Sequence, residues 1–454
     1  MTATLTQAQR SLFGLNLEPY WEGRAGLVAT FTGGQGKVDY ATLEANLTGS
    51  RLSIPALNWA KPEDASATLR AAIAFKLDNS IEISNIDATG QSFKAQGRLV
   101  LSGGKLRHAE FKKLQLGPRN DFALDYRMTP DNATSVDIKG RVMDAGGLLD
   151  SGDGPEPGDK KKELKFPLAI KAEVDTAHLQ GGVSYSALKF AYADDGSHLT
   201  QFKLDASAQG ANVRGELITA ADGARSLKVQ TSDAGRFVRG VTGFRSLIGG
   251  QLSLVVELTP LSNRVSPEGA FDGVLKIENF KIVDQPFFAR LLSAGSFTGL
   301  DDLLGGEGIT FTKLEQVVHG RGDVITLADG RAAGPSIGLT TQGTYNRASD
   351  RIDLNGTIVP LYGLNSIFED IPLVSDILGS KNGEGIFAVT YAVKGPVDEL
   401  KVAVNPISVL APGFLRKIFQ MGSAPQAAAP MPLPMPKQKS VPQESLQQPP
   451  TKAN

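Results

Sequence analysis

The chain has 454 residues, of which 41% are hydrophobic and 7% aromatic, with 47 Lys and Arg set against 48 Asp and Glu. That length exceeds the usual single-domain range and points to two or three units, while a formal net charge of −1 offers no basic field to draw in nucleic acid. Cysteine is absent, which excludes disulfides, thiolate metal sites and cysteine nucleophiles together.

The opening MTATLTQAQRSLFG lacks a basic stretch followed by an apolar one, so it does not read as a secretory leader. No run reaches the roughly 18 apolar residues of a membrane-spanning helix. Glycine is abundant, 50 of 454 residues, and suits many tight turns between short strands.

From about Leu15 to Leu149 the chain is a succession of short alternating runs, among them AIAFKLD, IEISNID and FKAQGRLVLSGGKLRHAEF. Alternation of this kind predicts strands and hairpins, and residues 1–150 read as a β meander. Ser102-Gly103-Gly104-Lys105 and Pro130-Asp131-Asn132 are its turns. The polar segment 151–165, SGDGPEPGDKKKELK, is the clearest internal boundary and lacks the GxxxxGK[ST] spacing of a phosphate loop. A second β unit follows over 166–270, with AQGANVRGELI weakly echoing AQGRLVLSGG of the first. Within it Asp233 is a candidate N-cap for a helix running to Leu247, with Phe237, Val241 and Phe244 on one face and Gly249-Gly250 as its stop.

The third unit, 271–420, opens with FDGVLKIENFKIVD, in which Phe271, Gly273, Leu275, Ile277 and Asn279 fall on one face of a strand. Asp284 can cap a helix holding Phe287, Phe288, Leu291 and Leu292, with Gly295 as its stop. A further apolar turn holds Leu300, Leu303 and Leu304. A second amphipathic stretch spans Leu361 to Leu378, divided at Pro372. Residues 421–454 hold 8 of the 25 prolines and read as a disordered or partly polyproline II tail.

Chemistry-bearing patterns are sparse. His108, His178, His198 and His319 stand singly, without HxH or HxxxH spacing. Asp301-Asp302 and Glu369-Asp370 suit helix-dipole pairing and solubility. No GxSxG or SxxK motif occurs, Gly33-Gly34-Gln35-Gly36 and Gly305-Gly306-Glu307-Gly308 do not complete a dinucleotide fingerprint, and Arg321-Gly322-Asp323 reads as a hairpin turn rather than an adhesion tripeptide. These residues imply no enzyme, cofactor or metal. What remains is apolar surface: Leu252, Leu254, Val256, Leu275, Ile277, Ile352 and Leu354 are candidate lining residues of an apolar groove, or core residues of an ordinary sandwich. For the first 225 residues the pattern leaves open groove and closed sandwich undivided.

The closing stretch GIFAVTYAVKGPVDELKVAVNPISVLAPGFLRKIF, above all Asn405-Pro406-Ile407-Ser408 through Ala411-Pro412-Gly413-Phe414-Leu415-Arg416, resembles the C-terminal region of the AsmA-like family, bacterial relatives of bridge-like lipid transfer proteins. The resemblance is most specific over 271–419 and looser over 15–270. It implies an elongated, gutter-like antiparallel sheet with a few short helices, whose apolar face carries phospholipid acyl chains between the inner and outer membranes. It further implies a periplasmic chain belonging to a longer, membrane-anchored protein with inner- or outer-membrane proteins as partners. Phe414, Leu415, Arg416, Lys417, Ile418 and Phe419 would form an end cap over the sheet or an interfacial helix that touches headgroups. The rival expectation is a closed β scaffold that assists outer-membrane protein assembly.

Overall fold

The computed structural model describes residues 2–6, 9, 20–34, 37–149, 166–258, 270–284, 308–335, 337–360, 387–396 and 399–409. In chain order the strands are β1 (Thr2–Leu5), β2 (Trp21–Gly23), β3 (Ala25–Thr32), β4 (Tyr40–Asn46), β5 (Ser50–Ile54), β6 (Trp59–Lys61), β7 (Ala67–Phe75), β8 (Ile81–Gly90) and β9 (Phe93–Ser102). They continue as β10 (Lys105–Leu116), β11 (Asp121–Met128), β12 (Thr134–Asp144), β13 (Leu168–His178), β14 (Ser184–Asp194), β15 (Leu199–Ala208), β16 (Ala211–Thr219) and β17 (Arg225–Thr231). The α-helix α1 (Ala234–Thr242) follows, and then β18 (Leu247–Leu258), β19 (Phe271–Ile282), β20 (Ile309–Arg321), β21 (Val324–Ala333), β22 (Ile337–Asn346), β23 (Arg351–Pro360), β24 (Phe387–Pro396) and β25 (Lys401–Val409).

Twenty-two of these strands form one curved, open sheet, and β2, β5 and β6 form a separate small one. Residue registers place β1 against β3, β3 against β4, β4 against β7 and β7 against β8, after which every strand pairs with the next in sequence through β25. At about 4.8 Å per strand the sheet extends roughly 100 Å. All pairs are antiparallel except β12 and β13, where Thr134 faces Leu168 and Asp144 faces His178 in parallel register. A parallel pair requires the chain to travel back along the strand before resuming, and the polar segment 151–165 lies in that return. The strands on either side of it therefore belong to the same sheet.

Strand direction separates two rims. Residues 76–80, 103–104, 129–133, 195–198, 220–224, 322–323 and 347–350 turn at one, the plain rim, as does the passage from β3 to β4. The small sheet, α1 and the connections 283–308 and 361–386 open from the other, the decorated rim. The amphipathic stretches read at 285–295, 300–304 and 361–378 fall in these last two connections and lie outside the described residues, as do Phe414, Leu415, Arg416, Lys417, Ile418 and Phe419.

The helix begins where its cap predicts: the Asp233 carboxylate accepts from Arg236 N at 2.9 Å. It ends sooner than the sequence suggests. Gly243 takes up φ +75° and closes it after Thr242, a conformation that glycine adopts without a Cβ penalty, so the next strand has already begun at Leu247. Phe237 and Val238 pack onto the sheet, whereas Val241 and Phe244 are exposed.

Within 1–150, β2, β5 and β6 leave the main sheet and form a small one of their own at its decorated rim. Lys61, 1% exposed, donates to the Ser50 and Pro62 carbonyls at 2.6 and 2.7 Å. Trp21 Nε1 donates to Ser50 Oγ at 2.9 Å. Asn58 Nδ2 reaches the Asp144 carboxylate and Asn120 Nδ2 the Leu57 carbonyl, at 2.9 and 3.0 Å, which ties the small sheet to β11 and β12.

Candidate functional site

The two faces of the large sheet differ in chemistry from one end to the other. On the inner face, register carries an apolar row from Phe31 through Ala41, Ile73, Ile83 and Leu99. It continues through Ala109, Tyr126, Val136, Ile170, Tyr192 and Phe202. One step along β15 the row resumes at Leu204 and runs by Gly215, Val229 and Leu254 to Leu275. From Gly273 it passes to Val318, Leu327, Gly343, Leu354, Val393 and Val402. The outer face is largely polar along the same strands, broken by a short apolar run at Val255, Val274, Val317 and Ala328. Glu257, Asp272, His319, Thr326, Thr344, Asp353 and Lys394 stand side by side across seven of them.

The largest cluster of buried side chains lies towards the decorated rim, where Leu247, Phe280, Ile309, Phe311 and Ile337 pack together and the Phe280 and Phe311 rings stack at 5.1 Å. Away from that rim, Leu99, Tyr126, Ile170, Phe202, Leu227, Leu254 and Leu354 remain half-buried. The inner face is thus apolar from end to end, and the helix packs against it at the decorated rim.

The seven candidate lining residues all reach this face. Leu252 faces Ile277 and Leu254 faces Leu275 across the β18–β19 pair, with Val256 opposite Gly273; Ile352 and Leu354 lie on the same face four strands on. They are not equivalent. Leu252, Val256 and Ile277 are buried, while Leu254, Leu275, Ile352 and Leu354 are half-buried. Equivalent positions in the first half, such as Leu99 and Phe202, were equally readable from alternation and belong with them. One element of the pattern changes phase: Asn279 adopts φ +54°, so it leaves the alternating face, and Phe280 joins Ile277 in one core.

Many glycines occupy strand interiors rather than turns. Gly97, Gly140, Gly215, Gly273, Gly320 and Gly356 all belong to the inner face. Side chains converge on the inside of a curved sheet, and a missing Cβ relieves the crowding. At Gly356 an added Cβ would strike the Thr340 carbonyl and the Tyr391 ring. Gly356→Ala should therefore cost about 1–3 kcal/mol, measured as a fall in the urea midpoint at unchanged slope.

Two buried polar side chains on the inner face find backbone acceptors. Gln316, 5% exposed, donates to the Val317 and Ala328 carbonyls at 2.9 Å each, at the bulge between β20 and β21. Tyr391 donates to Thr340 O at 2.9 Å. Burial pushes the Tyr391 phenol up to about 12, and burial together with Asp194 does the same at Tyr192. A raised phenol pKa favours the fold while the unfolded phenol is still neutral. Its contribution is whole below about pH 10 and disappears as pH climbs towards 12. Phenolate absorbance and unfolding should accordingly rise together in that window, with early phenolate in the folded protein as the contrary result.

The histidines have structural partners. His108 contacts Asp125 at 3.2 Å and His319 contacts Asp272 at 2.7 Å, both on the outer face, and His178 Nδ1 contacts Ser184 Oγ at 2.8 Å. Arg321, first of the Arg-Gly-Asp tripeptide, donates from Nη2 to both carboxylate oxygens of the same Asp272. Among the described residues no three His, Asp or Glu side chains gather as metal ligands, and no helix is long and apolar enough to cross a membrane.

Comparison of the chain with protein-family models, curated proteins and solved structures finds no match. The chain's own geometry carries the functional reading.

Proposed function

We propose that the protein is a non-enzymatic carrier whose inner face is a track for phospholipid acyl chains in the bacterial cell envelope, moving lipid between the inner and outer membranes. The observation that carries this reading is the apolar row running across the sheet from β3 to β25, backed by a largely polar outer face. At about 0.8 kcal/mol per methylene, a sixteen-carbon tail costs on the order of 12 kcal/mol to expose to water. A row of half-buried Leu, Ile, Val, Phe and Tyr side chains with near-uniform spacing would lower that barrier at every step, with no bond made or broken. The sequence resemblance to AsmA-like proteins supports the same reading and supplies the periplasmic setting.

Native mass spectrometry with lipid extraction on the purified chain tests it. Co-purifying phospholipid is the expected result. A well-folded protein free of lipid after expression in a bacterial host would overturn the proposal and favour a scaffold in outer-membrane assembly.

A further inference from the structure

Five of the fourteen large hydrophobic side chains left exposed among the described residues gather at one corner of the sheet, the plain rim of β3, β4 and β7. Phe31, Val38, Tyr40 and Phe75 are 40–51% exposed there, and Leu77 is 105% exposed. The turn that carries Leu77 is built. Lys76 N donates to Ser80 O and Asn79 N to Lys76 O, and the Asp78 carboxylate accepts from both the amide and the hydroxyl of Ser80. Leu77 is thereby held outward at a hairpin tip. Phe75 N donates to Asp39 O at 3.0 Å, which fixes the neighbouring hairpin alongside.

The corner carries exposed aromatic side chains on both faces. Phe31 and Phe75 belong to the inner face, opposite Ala41 and Ile81, whereas Tyr40 stands on the outer face, opposite Thr32 and Ala74. A protein partner lying on a sheet covers one face. A rim dipped into a lipid interface is covered on both, and tyrosine and lysine are at home in that layer. Lys76, half exposed beside Glu82, and the exposed Lys37 flank the tip alongside the exposed Asp39 and Asp78.

We propose that this corner docks shallowly into a bilayer surface, with Leu77 inserted and Phe31, Tyr40 and Phe75 at headgroup level. The inference rests on the lipid-track reading and deepens it. Phe31 is the first residue of the inner row, so an acyl chain leaving the bilayer at this corner would meet the track with no polar strip between.

The chain has no cysteine, so Leu77→Cys gives a unique attachment point for an environment-sensitive fluorophore. Vesicles of phosphatidylethanolamine and phosphatidylglycerol should shift its emission to the blue, and spin-labelled lipid should quench it. The same label at Lys228→Cys, on the outer face far from the corner, should not respond. Leu77→Asp should reduce vesicle flotation at least tenfold while co-purifying lipid is retained. An unresponsive label at position 77, or flotation unchanged in Leu77→Asp, would overturn the docking site. So would a concentration-dependent dimer that Leu77→Asp abolishes, since that assigns the corner to a second copy. Lipid retained in the purified protein without vesicle binding would leave the track and remove the dock; vesicle binding by a lipid-free protein would do the reverse.

Discussion

Leu254→Asp, Leu275→Asp and Leu354→Asp, introduced together, should leave a folded protein from which phospholipid no longer co-purifies. All three side chains are half-buried on the inner face, so the sheet's hydrogen-bond ladder survives their replacement. A carboxylate in the track must be stripped of water before an acyl chain can pass, and an unpaired charge makes that step prohibitive. The matched control is Val255→Asp, one residue from Leu254 but on the outer face opposite Val274, which should keep its lipid. Circular dichroism and a urea midpoint establish the fold in each case. Ile277→Asp is the wrong test. At 5% exposure within the main cluster it buries a charge in the core and unfolds the protein, so its loss of lipid would be uninformative. Lipid retained by the triple variant would mean that acyl chains do not travel on this face.

The second large effect concerns the joint between the small sheet and the main one. Asp144, 2% exposed, accepts from Asn58 Nδ2 at 2.9 Å, from Gly146 N at 3.0 Å and from Arg119 Nε. Its own amide donates to Asn120 Oδ1 at 2.9 Å. Asp144→Ala strands these donors and should cost about 3 kcal/mol, read as a lowered urea midpoint. Burial alone would raise the Asp144 carboxyl, but the bonds from Asn58, Arg119 and Gly146 outweigh it and hold the group below the usual carboxylate range. A depressed carboxyl favours the fold wherever the unfolded carboxyl is already ionised. That contribution is complete well above pH 4 and disappears as pH falls through the folded value. Acid should therefore destabilise the native chain more steeply below pH 4 than it destabilises Asp144→Ala. Parallel acid profiles would show that Asp144 is not linked to folding in this way.

The inner face was largely legible in the sequence because strand alternation is a local property. Leu252, Leu254 and Val256 alternate without interruption, and their placement needs only that the segment be a strand. Reading failed where backbone conformation or distance intervened. Asn279 looks like one more alternating residue, and only its left-handed φ shows that the face passes to Phe280. The glycines read as turns because composition does not record position, yet Gly215, Gly273 and Gly356 serve curvature inside strands. Gly249-Gly250 read as a helix stop because two glycines outweigh one on paper; in the fold Gly243 ends the helix and the pair lies within β18. The joint at Asp144 was illegible for another reason. Asn58 lies 86 residues from its acceptor, and nothing local to either residue announces the contact.

A photo-crosslinking residue placed in turn along the sheet tests the track most directly. Leu99, Leu227 and Leu354 sample the inner face near the beginning, middle and end of the row, and Lys171, Lys228 and Lys394 sample the outer face. Irradiation in cells should yield phospholipid adducts at all three inner positions and at none of the outer ones. Adducts shared equally by both faces, or absent from the inner one, would contradict a continuous acyl-chain track.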